Sequence, residues 1–518
     1  MPRRDRIFFL SITVLVLLLN WVPFFLATRA GGNDYLFNGV LLNPLDGQTY
    51  LAKMYEGFRG DWRFTLPYTP NPGQGAYINM LYLFLGHVAR LTHLSLPTVF
   101  TLGRLLGGVV LLFALYRFFL WTIPDARPRR LAFALAALGS GMGWLLIPVG
   151  AFTADLWVAE TYPFLSIYNN PHFPLGLALI LFLLTFPTLR QSSPTWKGAL
   201  AAIVALLLGI ISPFGVVIAV VVMGGWVLSL GYESFLRREW KKILTLPQFT
   251  HLAWIILGGA PMLIYQLWAI RTDPILAGWD AQNLTLTPPW WDVLFSLSPA
   301  LLLAIAGGIK TKPGQPAFPL TVWAVVGLVL ILIPFGLQRR FLMGLYVPLA
   351  GLAALGIESL ARGKRTPVRW LTIALFLLAL PTNLIVLLAG QTGAQSRDLA
   401  LFHTRDESLA FTWLSTQTPP DALILAAPDT GLLIPAYTGR QVIYGHPFET
   451  VNAKVEEQTV LNFFQTMPAP DARALLMNRD VDYVFFGPRE RTLGELPLTS
   501  GLIPAYEVGT VQIYAVEK

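Results

Sequence analysis

The chain is punctuated by apolar runs of about 20 residues, the length that spans a bilayer as an α-helix, and short clusters of Lys and Arg separate them. Hydrogen-bonding physics leaves few folds for such a sequence. Backbone N–H and C=O groups in hydrocarbon must be satisfied within the spanning segment, so each run folds as a helix. Composition agrees: 54% of the residues are hydrophobic and 13% charged, more apolar surface than a soluble domain can hide. The net charge of +8 would suit a nucleic-acid partner, but the basic residues sit between apolar runs, which makes them a topology signal. No nucleic acid is expected.

The first run, Ile7 to Thr28, follows Arg3, Arg4 and Arg6. It is long for the apolar core of a signal peptide and reads as an uncleaved anchor with a cytoplasmic N-terminus. Further spans are expected at Pro97 to Trp121, Leu131 to Gly150, Phe173 to Leu189, Gly198 to Ser212, Phe214 to Gly231, Leu252 to Ile270, Trp291 to Ile309, Phe318 to Gly336, Leu342 to Ala361 and Trp370 to Gly390, about 11 transmembrane helices in all. With this layout the basic clusters Arg117 to Arg130, Arg190 to Lys197, Arg237 to Lys242, Lys310 to Lys312 and Arg362 to Arg369 fall on the cytoplasmic side. Most acids of the membrane part fall outside, which orients the chain in a plasma (inner) membrane with its C-terminus extracytoplasmic. Ala76 to Leu94 is apolar too, but His87, Arg90 and His93 give it a polar face. It reads as a helix lying in the outer interface. Trp290 and Trp291 read as interface anchors.

From about Asp398 charges return and the long apolar runs stop. Helical periodicity covers Leu401 to Gln417, Val451 to Gln465 and Asp471 to Arg479. Strands are expected at Ala422 to Ala427, Gln441 to Tyr444, Val481 to Phe486 and Val511 to Val516. Alternation of strand and helix argues for a small α/β domain with a largely parallel sheet. The fold class is a polytopic α-helical membrane protein, residues 1–390 with an outer loop at 29–96, carrying a C-terminal extracytoplasmic α/β domain at 391–518.

Many chemistries are missing from the sequence. There is no cysteine, hence no disulfide, thiolate metal site or cysteine nucleophile. No Gly-rich phosphate loop ending in Gly-Lys-Ser/Thr, no His-Glu-x-x-His and no Gly-x-Ser-x-Gly occurs, and the six histidines lack metal-ligand spacing. Gly103 with Gly107 and Gly139 with Gly143 match the small-xxx-small pattern of helix packing. What remains is polar residues at the outer rim. The first outer loop gathers Asp34, Asp46, Lys53, Glu56, Arg59, Asp61 and Arg63; the second holds Asp155, Glu160 and His172. Arg104 lies near the outer end of its span, and Arg339 with Arg340 form a tight outer turn against the charge rule. Paired guanidinium groups at headgroup depth suit a phosphate; they also suit lipid headgroups as anchors. Asp46, in Asn43-Pro44-Leu45-Asp46-Gly47, stands in good turn sequence, where a carboxylate serves for backbone capping alone.

One anchor, a long outer loop with Asp46 and Tyr50, then Gly57-Phe58-Arg59-Gly60-Asp61-Trp62, an interfacial helix after a Pro-rich turn and a span with an early Arg104 together resemble the GT-C glycosyltransferases. These polytopic enzymes include aminoarabinose transferases, protein mannosyltransferases and oligosaccharyltransferases, and use polyprenyl-linked sugars outside the cytoplasm. Glu407-Ser408, Trp413-Leu414, Gly439-Arg440 and Gly445-His446-Pro447 resemble the outer domain of uncharacterised bacterial members. The resemblance implies that Asp46 occupies the position of the family's catalytic aspartate. The chain departs from the pattern in one respect: Gly47 follows Asp46 where many members have a second acid, which counts against an obligatory metal.

A sugar on a phosphate already has a good leaving group, so one carboxylate that removes the acceptor's proton suffices for inverting transfer. Asp46 is the expected base, with Arg339 and Arg340 on the departing phosphate. Lys53, Arg104 and His172 are further phosphate or sugar ligands; Asp155, Glu160 and Tyr50 are candidates for the acceptor or for a divalent metal, Mg or Mn. The expected partners are a polyprenyl-phosphate-linked sugar, a lipid, glycan or protein acceptor, and membrane lipids. The alternative is a non-catalytic envelope scaffold or sugar-binding subunit on the same fold. A lipid or solute transporter comes third, because transporters concentrate ionisable groups near the midplane, whereas Leu131 to Gly150 and Phe214 to Gly231 carry none.

Overall fold

A computed structural model describes residues 3–185, 194–236, 238, 246–497 and 501–518. The basic positions Arg190, Arg237, Lys241 and Lys242, and the end of the expected span Phe173 to Leu189, lie outside the described residues. Among the described residues seven helices are long and apolar enough to cross a membrane: Arg3–Ala30, Leu96–Thr122, Ala126–Val149, Pro213–Tyr232, Pro247–Thr272, Gln338–Leu360 and Arg365–Gln395. An eighth span results if the pair Trp290–Leu297 and Ala300–Gly308, bent by 81°, counts as one. The chain is a multi-pass membrane protein. Three of the other expected spans are shorter helices, His172–Thr185, Trp196–Ile211 and Phe318–Leu330. An apolar run does not by itself set helix length. Pro213 divides the run that holds Trp196–Ile211, and the helix starting at Phe318 stops short of Pro334, as expected for a residue with no N–H and a ring that crowds the preceding turn.

The chain divides into two compact units. The first comprises Met1–Pro23, Leu102–Tyr265 and Thr285–Gly390; the second comprises Phe24–Thr101, Gln266–Leu284 and Gln391–Lys518. The outer loop 29–96 thus clusters with the C-terminal residues, unlike the division at 390 read from composition, which registers the end of the spans and is blind to packing.

In the first unit small residues let helices approach closely. A Cβ on Gly307 would lie 2.0 Å from the Leu352 carbonyl oxygen, and one on Gly356 would lie 2.2 Å from that of Leu303. The helices Ala300–Gly308 and Tyr346–Leu360 therefore cross backbone against backbone, as small residues permit. Gly139 and Gly143 do not form such a stripe. The helix Ala126–Leu138 ends at Gly139, and Gly143 opens a 3-10 segment, Gly143–Val149. Arg129 and Arg130 converge on the buried Asp5, with Arg129 Nη2 2.6 Å from its carboxylate.

The second unit is built around α1 (Pro44–Arg59), α2 (Met80–Thr92) and a five-stranded sheet. The helices cross at Gly57 and Gly86: a Cβ on either would lie 2.0 Å from a carbonyl oxygen of the other helix, Leu83 or Met54. The loop strand β1 (Tyr35–Phe37) pairs antiparallel with β2 (Phe402–Thr404). The sheet runs β4-β3-β5-β7-β6, with β3 (Leu423–Leu425), β4 (Gln441–Val442) and β5 (Tyr483–Phe486) parallel. Next come β6 (Leu502–Val508) and β7 (Val511–Val516), and β7 runs antiparallel to both β5 and β6. The sheet is mixed where a largely parallel one was expected, because β7 runs antiparallel to β5, and the strand β6 escaped the sequence reading. It carries Pro504 and an irregular register between Pro504 and Tyr506, features that an edge strand tolerates. The helix Pro428–Thr438 was also missed, since Gly431 and Pro435 inside it read as loop residues. Phe411, Ile424, Ile434 and Ile513 share one core with Val40, Leu51, Met54 and Tyr82 of the loop and its helices.

Candidate functional site

The start of α1 gives Asp46 its geometry. Asn43, at φ 53°, caps the helix and Pro44 occupies its first position. The Asn43 Oδ1 accepts from the Asp46 N–H at 3.4 Å, while Asn43 Nδ2 donates to Asp46 Oδ2 at 2.6 Å. Asparagine therefore does the capping. Asp46 stands in the first turn, where the helix dipole favours a negative charge, and its side chain is 40% exposed. The other carboxylate oxygen, Oδ1, lies 3.3 Å from Nε2 of His446, whose side chain is 2% exposed. His446 Nδ1 accepts from the backbone N–H groups of Phe448 and Glu449, both at 3.1 Å. A nitrogen that accepts cannot carry the proton, so the neutral ring holds it on Nε2, facing Asp46. That buried Nε2 has no aligned hydrogen-bond partner. Beside Asp46, a Cβ on Gly47 would lie 2.6 Å from both methyls of Val40. The position that lacks a second acid has no room for one.

Two turns further along α1, Lys53 is buried. Its Nζ lies 2.7 Å from Glu449 Oε1 and 3.3 Å from Thr49 Oγ1, over the rings of Tyr50 at 4.9 Å and Phe64 at 5.2 Å. The ammonium is turned inward, and Glu449 meets its charge where a phosphate was the expected partner. Tyr50, a candidate acceptor ligand, stacks on Tyr82 at 4.3 Å.

Glu56, one turn on, is buried and accepts from the backbone N–H of Thr65 at 3.2 Å and from its hydroxyl. Burial outweighs these bonds and lifts the carboxyl from an ordinary 4.5 to about 8. Glu56 lines a cavity of about 40 Å³ with Arg59, Thr65 and Gln441, a space on the scale of ordered water. Because the folded pKa is raised, the folded state holds the proton more tightly. Glu56 therefore contributes stability that is complete below pH 4.5 and is lost as pH rises through about 8. The wild-type melting midpoint should fall more between pH 5 and pH 8 than that of Glu56→Gln, whose amide does not titrate. Parallel curves for the two proteins would refute this.

The first unit holds the other expected residues. Arg104, fully buried, donates to the carbonyls of Ile167 at 2.8 Å, Tyr168 at 3.2 Å and Asn20 at 3.2 Å. It caps the end of the helix Pro163–Tyr168 through these carbonyls, where a phosphate was the expected partner. Asp155 is also buried, and burial raises its pKa. Its oxygens accept from Gly143 N at 2.9 Å, Thr382 Oγ1 at 2.9 Å, Thr153 Oγ1 at 2.7 Å and Ser296 Oγ at 3.2 Å. The Gly143 amide and the Thr153 hydroxyl serve Asp155, while the single protons of Thr382 and Ser296 are shared with the Gly141 carbonyl and with Asp292. Asp292, which sequence reasoning passed over, shares Ser296 Oγ at 2.7 Å. Glu160 lies 3.5 Å from Arg340, and the Arg339 guanidinium stands 4.5 Å over the Trp157 ring. The His172 ring lies 4.1 Å from that of Phe173. Among the described residues no group of three or more His, Asp or Glu could hold a metal ion.

Sequence reasoning missed His446 and Glu449 as neighbours of α1. The only signal was the Gly445-His446-Pro447 string, which does not say what the ring faces.

No protein-family model matches the sequence, and no curated protein matches it. Solved structures do match. The apo oligosaccharyltransferase of Archaeoglobus fulgidus aligns with 96% of this chain and 72% of its own, at 14% identity and a TM-score of 0.56. The archaeal oligosaccharyltransferase AglB of the same organism, in complex with an inhibitory peptide and a dolichol-phosphate, aligns at 13% identity with a TM-score of 0.54, covering 93% of this chain and 70% of that one. A mutant of the arabinofuranosyltransferase AftD from Mycobacteria aligns at 16% identity with a TM-score of 0.55, covering all of this chain and 42% of its own. These structural neighbours are GT-C superfamily members, and the chain shares their fold.

Proposed function

We propose that the protein is a membrane glycosyltransferase that moves a sugar from a polyprenyl-phosphate donor to an acceptor outside the cytoplasm, with Asp46 as general base. The observation that carries this reading is the half-exposed Asp46 carboxylate, held from one side by Asn43 and faced from the other by a histidine of fixed tautomer, on a fold shared with glycosyltransferases. In this reading Asp46 takes the proton of the acceptor's nucleophilic atom as that atom attacks the anomeric carbon. The bond from that carbon to the phosphate oxygen breaks, its electron pair leaves with the phosphate, and the configuration inverts. The placement of the C-terminal α/β part outside the cytoplasm is the orientation that the positive-inside reading of the sequence supports.

Arg339 and Arg340 are the residues proposed for the donor phosphate. A guanidinium is always charged and matches phosphate geometry, and that of Arg339 stands over the Trp157 ring. The Arg339→Ala/Arg340→Ala protein should bind polyprenyl phosphate about tenfold or more weakly in a detergent titration; unchanged affinity would return the pair to headgroup anchoring. The proposed activity itself is tested by reconstituting the protein with a polyprenyl-phosphate sugar and cell-envelope acceptor extracts, and comparing wild type with Asp46→Asn. Equal transfer by both removes Asp46 as base.

A further inference from the structure

We propose that His446 is a positioning residue for Asp46, and that the segment Gly445 to Thr450 docks on α1 to set the carboxylate for proton abstraction. The proposal rests on Asp46 being the base. Its evidence is independent of the fold comparison: three features of the segment converge on α1.

The first is the tautomer. Two backbone amides donate to His446 Nδ1, which places the ring proton on Nε2, 3.3 Å from Asp46 Oδ1. The second is the docking of the loop itself. Glu449 Oε1 reaches Lys53 Nζ at 2.7 Å, and Lys53 stands two helical turns beyond Asp46, on the same side of α1. The Thr450 hydroxyl accepts from the N–H groups of Gly445 and His446 at 3.3 Å each, and the Thr450 N–H donates to the His446 carbonyl at 3.0 Å, which closes the segment. The third is the unmet donor. A buried N–H without an aligned acceptor is costly, and the acceptor within reach is the carboxylate. Contacts of this kind are often misaligned without substrate and tighten in the reacting complex. As the carboxylate turns toward the acceptor's proton through one oxygen, Nε2–H holds the other.

Two amide variants separate this role from simple loop support. Asn places its side-chain oxygen where Nδ1 stands and keeps the bonds to the Phe448 and Glu449 amides, but cannot reach Asp46. Gln places its side-chain nitrogen where Nε2 stands and keeps the donor. The expected result is that His446→Asn lowers kcat roughly 10- to 100-fold, the value of a hydrogen bond to a charged group, with KM for the polyprenyl-phosphate sugar within about twofold, while His446→Gln keeps most of the wild-type kcat. Wild-type kcat in His446→Asn, a loss that falls on KM, or a Gln variant as impaired as the Asn variant would overturn the proposal. Should His446→Asn not accumulate as folded protein, His446→Gln decides alone: loss of kcat at a wild-type melting temperature overturns it, and retention supports it. Asp46→Asn runs in parallel to tell the two failures apart. If Asp46→Asn transfers as well as wild type, the reading of Asp46 falls and this inference with it. If Asp46→Asn is inactive and His446→Asn is not impaired, the positioning role alone falls.

Discussion

Asp46→Asn should lower the rate of sugar transfer in proteoliposomes by about 10²- to 10⁴-fold, the usual contribution of a positioned general base, while KM for the donor stays near wild type. The substitution is close to isosteric and sits where the side chain is 40% exposed, so the fold has little reason to move. One of the two carboxamide orientations still accepts from Asn43, and the capping bond from the Asp46 N–H to Asn43 Oδ1 belongs to the backbone and survives. What is lost is the lone pair that takes a proton. An interaction made only as the proton moves appears in kcat and leaves ground-state binding alone. Asp46→Glu is the companion variant. It keeps the charge but shifts it by about 1 Å, a misplacement that can cost about 10²-fold, so it should transfer more slowly than wild type and melt like it. A loss confined to KM in Asp46→Asn would instead mark a residue that binds the donor. Gly47 supports a single-base chemistry from the packing side, because Val40 fills the space a second carboxylate would take.

Asp46 could be selected from sequence because the loop resembles a known family; its neighbours Asn43, Pro44 and Gly47 read as a turn, whereas the structure starts a helix there. Its partner could not be selected. His446 lies far along the chain in a segment of ordinary turn composition, and only the tertiary fold brings its ring to α1. Lys53 shows the same gap from the other direction. Charge scarcity correctly marked it as unusual, but a buried ammonium paired with Glu449 and an exposed one waiting for phosphate look alike in sequence. Arg104 and Asp155 are further cases: each is charged, sits near the outer end of an apolar run, and hydrogen-bonds to the protein's own carbonyls, hydroxyls and amides. The spans were legible where apolar runs were long and unbroken, as in Arg3–Ala30 and Leu96–Thr122. The division at Pro213 was legible as well, with one helix ending at Ile211 and the next starting at Pro213; the bend at Pro299 inside the expected span Trp291 to Ile309 was not, since composition sums over a break that the backbone cannot ignore. The edge strand β6 escaped because Pro504 argues against a strand in general while an edge accepts it.

Lys53→Met should destabilise the second unit by about 3–5 kcal/mol, the cost of leaving one member of a buried ion pair without its partner. Glu449 would then face the side chain that replaced its cation, with its own side chain 11% exposed. The rings of Tyr50 and Phe64, which attract the ammonium by their faces, would lose that contribution too. Salt should change the loss little, because a buried pair is poorly screened. The double variant Lys53→Met/Glu449→Met removes both charges, and most of the stability should return, since a buried pair is worth far less than the penalty of breaking it. A double variant no more stable than Lys53→Met would place the loss in packing around the lysine stem, and would show that the ion pair does not hold the loop. The two outcomes differ in activity as well. With both charges gone the loop keeps the His446 bonds to Phe448 and Glu449 amides but loses its second attachment to α1, two turns from Asp46. Transfer should therefore remain below wild type after melting temperature has recovered, because stability depends on the absence of an unpaired charge whereas proton abstraction depends on where the loop holds the imidazole.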